Sequence, residues 1–151
     1  MKERDIHSII RLYPYLLDPE LENARLRYER VYDDGRRADF VFYLAALNKI
    51  IVVEVKRGII DNDSLNQILG YIHKEEQENP MSVVIGYLVG KALSPTVKER
   101  LSRDFKGKIE FKAIEFDIPL KVKICKRCRK ANNLRNKTCK WCGSREFIRI
   151  D

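Results

Sequence analysis

The stretch from Gly35 to Gly58 decides the fold, and it reads GRRADFVFYLAALNKIIVVEVKRG. Its two halves are rich in branched and aromatic residues, which predicts two strands, and the AALN segment between them predicts a tight turn. The run from Lys49 to Lys56 is apolar almost throughout, as expected of a strand that is covered on both faces. We call residues 35–58 the acidic hairpin, and we predict that its second strand lies inside a sheet.

Three charged residues stand at the open end of this hairpin. Paired residues in an antiparallel hairpin have numbers with a constant sum, so a turn centred between residues 46 and 47 places Asp39 opposite Glu54. Their Cβ atoms would then lie about 4.5–5.5 Å apart. Lys56 shares the face of Glu54 because strand side chains alternate, whereas Val55 points into the core and leaves its carbonyl as a further metal ligand.

This arrangement of charges suits a metal site. Two close carboxylates repel each other, and burial favours the protonated form of one of them unless a cation neutralises the pair. Mg²⁺ fits such a site and Mn²⁺ can replace it; the ion would activate a water for phosphodiester hydrolysis, with Lys56 orienting that water. The alternative is a cross-strand salt-bridge cluster, but three charges converging on an otherwise apolar hairpin favour a catalytic site.

The flanking segments complete an α/β fold. Ile6, Ile9 and Ile10 recur at helical spacing before Pro14, and residues 24–32 predict a strand that pairs with the hairpin. Residues 61–64 offer caps for a second helix, residues 81–89 and 109–116 predict two more strands, and a helix begins near Pro95 between them. The order αβββαβαβ predicts a mixed sheet with helices on its faces.

Two CxxC motifs near the C-terminus contain all the cysteines of the chain, which are Cys125, Cys128, Cys139 and Cys142. Each CxxC turn directs two thiolates at one ion, so the two motifs predict a tetrahedral Zn²⁺ site of the zinc-ribbon type. Disulfides are the alternative. The N-terminus MKERDIHSII lacks the apolar region of a signal peptide, and we expect a cytoplasmic protein with no membrane partner, in which metal binding is favoured over disulfides.

The chain has a formal net charge of +8, and the basic residues are concentrated around these cysteines. Residues 118–151 contain eleven Lys or Arg residues and two acids, whereas residues 1–117 carry a net charge of −1. A solvated charged face is the simpler interpretation, but this density favours nucleic-acid binding. Trp141 is available for packing or base stacking. The residues expected to contact phosphates are Arg127, Arg129, Lys130, Arg135, Lys137 and Lys140.

The hairpin motifs GRRADFVFYL and IIVVEVKRG resemble the D…ExK signature of the PD-(D/E)xK (restriction-endonuclease-like) nuclease superfamily, which has an αβββαβ core. With the downstream NQILGYI, residues 2–117 most resemble the catalytic domain of the NucS/EndoMS endonucleases. The resemblance implies that Asp39 and Glu54 bind the catalytic metal, that Lys56 positions water and that Gln67 completes the site. By helical spacing alone, Gln67 is an exposed residue.

Several residues around the carboxylates are further candidates. Related nucleases bring an acid from the first helix and Glu3 matches that place, although an acid in a first turn is favourable through the helix dipole alone. Arg36, Arg37 and Arg57 flank the carboxylates and are candidates for phosphate contacts. His7, like the second histidine, has no neighbour at ligand spacing that we identify, so we interpret it as a structural or surface residue.

We therefore predict a nuclease-like domain at residues 1–117 and a four-cysteine zinc ribbon at residues 118–151. The predicted function is that of a Mg²⁺- or Mn²⁺-dependent DNA endonuclease whose ribbon binds the nucleic acid. DNA as the substrate rests on the resemblance, and RNA stays open. The alternatives are a catalytically silent module that binds DNA and an RNA- or ribosome-associated zinc-ribbon protein, because the ribbon also resembles those of small ribosomal proteins. A homodimer is also open, since cutting both strands often uses two sites.

Overall fold

The computed structural model describes residues 2–148, which form one five-stranded sheet, one three-stranded sheet and three α-helices. The elements of the first half are helix α1 (Glu3–Leu12), two 3-10 helices (Pro14–Leu16 and Pro19–Asn23) and strands β1 (Arg25–Val31), β2 (Arg37–Leu44) and β3 (Lys49–Val55). A third 3-10 helix (Ala45–Leu47) forms the turn of the acidic hairpin.

The second half alternates strands and helices before it reaches the cysteines. Its elements are β4 (Ile59–Ile60), α2 (Asn62–Glu78), β5 (Val83–Gly90), β6 (Ala92–Leu93), α3 (Pro95–Asp104) and β7 (Ile109–Ala113). The cysteine segment adds β8 (Val122–Cys125), β9 (Ala131–Asn133) and β10 (Phe147–Ile148).

The five-stranded sheet has the order β1-β2-β3-β5-β7. Strands β1, β2 and β3 are antiparallel to one another, whereas β3, β5 and β7 are parallel, and α2 and α3 connect the parallel strands. This confirms the predicted α/β class and the mixed sheet. Because β3, β5 and β7 are parallel, their carboxyl ends lie at one edge of the sheet, which we call the carboxyl edge.

The register of the acidic hairpin is the predicted one. Phe40 pairs with Val53 and Leu44 pairs with Lys49, so the next residues beyond the ladder are Asp39 and Glu54. The 3-10 turn at residues 45–47 is closed by Asn48, whose φ of 47° lies in the left-handed region that Asn tolerates better than most residues. The short turn therefore fixes which charged residues face each other.

Each face of the sheet has its own apolar core. On one face, Ile6 and Ile10 of α1 are fully buried against Phe40 and Phe42 of β2. On the other face, Leu65 and Ile68 of α2 are fully buried against the opposite side of the hairpin. Both helices are therefore fixed across the acidic hairpin, since burying a large aliphatic side chain contributes about 1.5–3 kcal/mol.

The last strand of the large sheet is shorter than predicted. We expected a strand over residues 109–116, but β7 ends at Ala113. Asp117 explains the difference: its backbone N–H donates to the Ala113 carbonyl, and its carboxylate accepts from the Ala113 N–H at 2.7 Å. A tight turn over residues 113–118 replaces the end of the strand.

The three-stranded sheet has the order β10-β8-β9 and surrounds the cysteines. The proposed division into domains at residues 1–117 and 118–151 stays a prediction. Among the helices of residues 2–148, none combines the length and the apolar character that spanning a membrane requires.

Candidate functional site

The carboxylate of Asp39 is held at the open end of the acidic hairpin by the neighbouring strand. Its Oδ2 accepts a hydrogen bond from the backbone N–H of Val55 at 2.7 Å. The Val55 side chain is buried, as predicted, while its carbonyl remains a predicted metal ligand. The bond fixes one carboxylate oxygen of Asp39 across the strands.

Glu54 lies beside Asp39 in an environment that disfavours its charge. Burial raises the pKa of Glu54 to about 9, and the negative charge of Asp39 adds to the effect. Its Oε2 is buried and has no hydrogen-bond partner among the described residues. Burial also raises the pKa of Asp39 above its usual value, against the lowering effect of the Val55 hydrogen bond. A bound cation would relieve both effects.

Helix α1 brings two further ligand groups to this pair. The His7 Nε2 atom lies 3.8 Å from Oδ2 of Asp39 and 3.9 Å from Oε1 of Glu3. One ligand atom from each of these three residues lies within 4.8 Å of the other two. Glu3, His7 and Asp39 therefore form a cluster of the size that one metal ion needs.

The imidazole of His7 is oriented by Tyr28 on β1. Its Nδ1 is 3.1 Å from the Tyr28 hydroxyl, and its Nε2 is buried with no hydrogen-bond partner in the described part of the chain. If Nδ1 carries the proton and donates to Tyr28, then Nε2 presents a lone pair towards Asp39 and Glu3. This is the arrangement in which histidine binds metals.

The interpretation of His7 as a structural or surface residue is thus incomplete, since the structure places it between Glu3 and Asp39. The signal in the sequence is the spacing of Glu3 and His7. Residues four apart lie on one helix face, and both precede the isoleucines that dock α1 on the sheet. Glu3 itself is brought to the carboxylates as the resemblance implied.

The residues fit a divalent metal on two independent observations. The donor set combines the carboxylates of Glu3, Asp39 and Glu54 with one imidazole, and oxygen-rich sets of this kind suit Mg²⁺ or Mn²⁺. In addition, His7 Nε2 and Glu54 Oε2 are buried polar atoms without partners. Such atoms are rare in folded proteins because each costs free energy, and an ion satisfies both.

Lys56 makes a different contact. Its ammonium lies 2.7 Å from Oδ2 of Asp61, the residue whose other oxygen caps α2 by accepting from the Ser64 N–H. The Lys56 ammonium, followed by the Ser64 N–H, lowers the pKa of Asp61 to about 2. An exposed ion pair of this type is weak. The role of Lys56 in positioning water stays a prediction.

Helix α2 places Tyr71, rather than Gln67, against the carboxylates. Burial and then the negative charges of Glu54 and Asp39 raise the pKa of Tyr71, whereas Gln67 is exposed and forms no side-chain hydrogen bond within residues 2–148. Gln67 lies one helical turn before Tyr71 on the same side of the helix. Its predicted role is therefore untested.

The three arginines near the carboxylates differ in their contacts. The Arg36 guanidinium lies 5.9 Å from the centre of the Tyr71 ring and also pairs with Asp34 at 2.8 Å. Arg37 pairs with Glu29 at 3.7 Å. Arg57 is exposed and has no salt bridge to any residue whose position is described. Arg57 is thus the guanidinium most free to contact phosphate.

The four cysteines converge as the CxxC spacing predicts. The sulfur atoms of Cys125 and Cys142 are 3.6 Å apart, and those of Cys128 and Cys139 are 3.5 Å apart. Burial alone would raise the pKa of Cys139, but hydrogen bonds from the Cys142 backbone and the Asn132 amide outweigh it and lower the pKa to about 6. A cluster of four thiol groups, one of them an easily formed thiolate, fits Zn²⁺.

The segment around the cysteines packs against the 3-10 helices that follow α1. The Tyr15 hydroxyl accepts from the Ala131 N–H at 2.7 Å, and the Tyr15 ring meets the edge of Trp141 at a centroid distance of 5.2 Å. Lys130 forms a salt bridge with Glu22 at 2.8 Å. Of the basic residues predicted to contact phosphates, Lys130 therefore also attaches the ribbon to the core.

The other predicted phosphate-binding residues of the ribbon are exposed. None of them forms a salt bridge with a residue in the range 2–148, so their charges are available to an anionic partner. These residues are Arg127, Arg129, Arg135, Lys137 and Lys140.

No protein-family model and no curated protein matches the chain. Solved structures do match. A repair endonuclease from Pyrococcus abyssi is 24% identical with a TM-score of 0.60, over 75% of this chain and 46% of that one. An EndoMS structure in complex with double-stranded DNA is 21% identical with a TM-score of 0.58, over 73% of this chain and 43% of that one.

The structure of EndoMS without DNA is also similar, with 21% identity and a TM-score of 0.57. The chain thus spans less than half the length of these structures. At this level of identity the comparison establishes the fold. The chain therefore has the fold of the EndoMS-like repair endonucleases, as the resemblance of its hairpin motifs predicted.

Proposed function

We propose that this protein is a Mg²⁺- or Mn²⁺-dependent endonuclease that hydrolyses phosphodiester bonds of DNA. The observation that carries the proposal is the convergence of Glu3, His7, Asp39 and Glu54 at the open end of the acidic hairpin. Two buried atoms in this cluster lack partners, and a cation would satisfy both. The fold, shared with solved repair endonucleases, supports the same reaction.

In this proposal, Asp39 and Glu54 hold the catalytic ion, assisted by His7 Nε2, Glu3 and the Val55 carbonyl. When bound, the ion would neutralise charge on a phosphate and lower the pKa of a water. The Val55 N–H keeps the Asp39 carboxylate in place, and the Tyr28 hydroxyl keeps the His7 lone pair directed at the site. These residues supply a preorganised set of ligands.

Lys56 is the proposed group that orients the attacking water. Its ammonium contacts Asp61 at 2.7 Å, and both side chains are partly exposed. Because such a pair is weak in water, the ammonium can turn towards a bound phosphate at little cost. Gln67, one turn before Tyr71, is proposed to complete the site from α2.

The ribbon is proposed to bind Zn²⁺ through its four cysteines and to supply most of the affinity for nucleic acid. Residues 118–151 carry a dense positive charge, while the carboxylate site lies in the nearly neutral remainder of the chain. The DNA in the EndoMS complex is the reason to propose DNA, since phosphate contacts alone do not distinguish the two nucleic acids. A homodimer would place two such sites on the two strands.

The test is cleavage of labelled DNA that is single-stranded, double-stranded, flapped, mismatched or branched, with and without Mg²⁺ or Mn²⁺. The native protein is compared with Asp39→Asn, Glu54→Ala and Lys56→Ala. We expect metal-dependent cleavage that falls by a factor on the order of 100 or more in each variant, since each removes a metal ligand or a catalytic charge. Glu99→Gln, at an exposed position of α3, is the matched control.

Equal cleavage by the native protein and all three variants would contradict the mechanism. No cleavage by any protein, together with salt-sensitive DNA binding, would identify a catalytically silent module instead. Preferential binding to structured RNA would favour the RNA-associated alternative.

A further inference from the structure

Phe116 is 88% exposed, at the tip of the tight turn over residues 113–118. The turn is closed by the two hydrogen bonds of Asp117 to Ala113, and Glu115 adopts a φ of 69°, in the left-handed region. A non-glycine residue in this region costs free energy. The turn thus holds an aromatic ring in water at a cost that burial of the ring does not repay.

Phe116 does not stand alone on the surface. It lines a cleft between the large sheet and the ribbon, together with Leu16, Pro119 and Trp141. Leu134, which is 49% exposed, lines a neighbouring cleft that shares Pro119. An isolated exposed apolar residue is ordinary, whereas a group of them around a cleft marks a binding surface.

The rim of this cleft is polar and positively charged. Asn133, Asn136 and Lys140 line it, and Arg135 and Lys121 line the neighbouring cleft. Lys140 and Arg135 are exposed, and neither pairs with an acid in residues 2–148. An apolar floor with an aromatic ring and a cationic rim is the combination that binds single-stranded nucleic acid, in which bases stack on rings and phosphates meet cations.

The cleft also lies at the same edge of the sheet as the carboxylates. Glu54 on β3 is aligned with Leu88 on β5, which is aligned with Phe111 on β7, two residues before the turn begins. Neighbouring strands are about 4.8 Å apart, so β7 runs about 10 Å from β3. A single nucleic-acid strand can therefore contact the cleft and the carboxyl edge together.

We propose that this cleft binds an unpaired nucleotide of a DNA substrate, with its base stacked on Phe116 and its phosphate near Lys140. DNA as the polymer rests on the function proposed above. Bases inside a duplex are already stacked and cannot enter a cleft, so the proposal implies a substrate with a single-stranded segment. Trp141 is not the stacking surface, because its indole N–H donates to the Ala131 carbonyl and its edge packs on Tyr15.

The test uses Trp141, the single tryptophan of the chain, as a fluorescent reporter because it lines the same cleft. The zinc-loaded protein is titrated with a short oligothymidine and with a duplex of equal length, without added Mg²⁺ or Mn²⁺. The variants are Phe116→Ala, which removes the ring, and Phe116→Tyr, which keeps it. Met81→Ala, at an equally exposed apolar position before β5, is the control.

We expect Phe116→Ala to weaken binding of the single strand by a factor of about 5 to 100, the range that removal of one stacking ring gives. Phe116→Tyr and Met81→Ala should bind as the native protein does, and duplex affinity should be unchanged in all variants. Unchanged single-strand affinity in Phe116→Ala, or an equal reduction for the duplex, would overturn the proposal. Tighter, Phe116-dependent binding of an RNA of matching sequence would overturn DNA as the occupant.

This experiment separates the cleft from the proposed cleavage. Binding is measured without the catalytic metal, so a protein that fails to cut DNA can still show Phe116-dependent binding. Conversely, a protein that cuts DNA at the carboxylates can lack any dependence on Phe116. Failure of one proposal therefore leaves the other intact.

Discussion

Replacing Glu54 by Gln should stabilise the protein when no catalytic metal is present. Burial and the charge of Asp39 raise the pKa of Glu54 from 4.5 to about 9, so the folded protein binds a proton that the unfolded chain releases. Stability of the native protein must then fall as the pH rises from 4.5 towards 9. Gln mimics the neutral carboxyl group and removes this penalty.

The size of the effect follows from the same linkage. Each pH unit above the unfolded pKa costs about 1.4 kcal/mol, so at about pH 7 the native protein loses at most about 3 kcal/mol relative to Glu54→Gln. The gain should shrink towards zero as the pH approaches the unfolded pKa of 4.5. We expect about 1–3 kcal/mol at neutral pH, because neighbouring carboxyl groups share part of the proton uptake.

The assay is urea unfolding of the native protein and Glu54→Gln at several pH values between about 5 and 8, in the absence of Mg²⁺, Mn²⁺ and chelators. Comparison at each pH cancels the effect of protonating the zinc ligands. Adding Mg²⁺ or Mn²⁺ should then stabilise the native protein but not the variant, since a ligand stabilises only the state that binds it. A variant that is no more stable than the native protein at the highest pH, or a gain independent of pH, would refute the reasoning. Glu99→Gln is again the matched control.

Three further predictions concern the other ligands and the ribbon. His7→Ala should raise the Mg²⁺ or Mn²⁺ concentration needed for half-maximal cleavage by a factor of about 10 or more, with recovery at high metal; an unchanged requirement would remove His7 from the ligand set. Metal analysis by mass spectrometry should find one zinc per chain and much less in Cys139→Ser, whereas equal zinc in both proteins would argue against the four-thiolate site. Replacing Arg135 or Lys137 by Ala should weaken DNA binding and reduce its salt dependence by about one ion for each phosphate that is no longer neutralised, while Lys106→Ala, outside the ribbon, should not.

The sequence was sufficient to predict the parts of the site that depend on local rules. Strand side chains alternate and the hairpin turn is short, so the register that places Asp39 opposite Glu54 could be worked out by counting, and the ladder from Phe40 to Leu44 confirms it. The CxxC spacing likewise predicted the convergence of the cysteines, because a knuckle directs both of its thiolates to one point.

The contacts that sequence analysis missed are those between distant segments. His7 reaches Asp39 only because Ile6 and Ile10 dock α1 across the sheet, and the angle of that packing is not written in the spacing of the isoleucines. The contact of Lys56 with Asp61 depends on the path of the chain between β3 and α2. Both are tertiary contacts, which local propensity does not determine.

The packing of the ribbon was also beyond sequence reasoning. Trp141 could have packed or stacked on a base, and only the position of Tyr15 in the 3-10 segment decides between them. The end of β7 shows the same limit. The sequence IEFKAIEF favours a strand, but Asp117 offers the Ala113 N–H a competing acceptor and turns the chain there.

The most direct test of the catalytic site is a crystal structure of the protein with Mn²⁺ and a non-cleavable DNA, measured for anomalous scattering from manganese and zinc. We predict a manganese peak within about 2.0–2.4 Å of the carboxylates of Asp39 and Glu54. His7 Nε2 should complete the site, and a separate zinc peak should lie among the four cysteines. A zinc peak in the ribbon with no manganese between Asp39 and Glu54 at saturating Mn²⁺ would contradict the central claim.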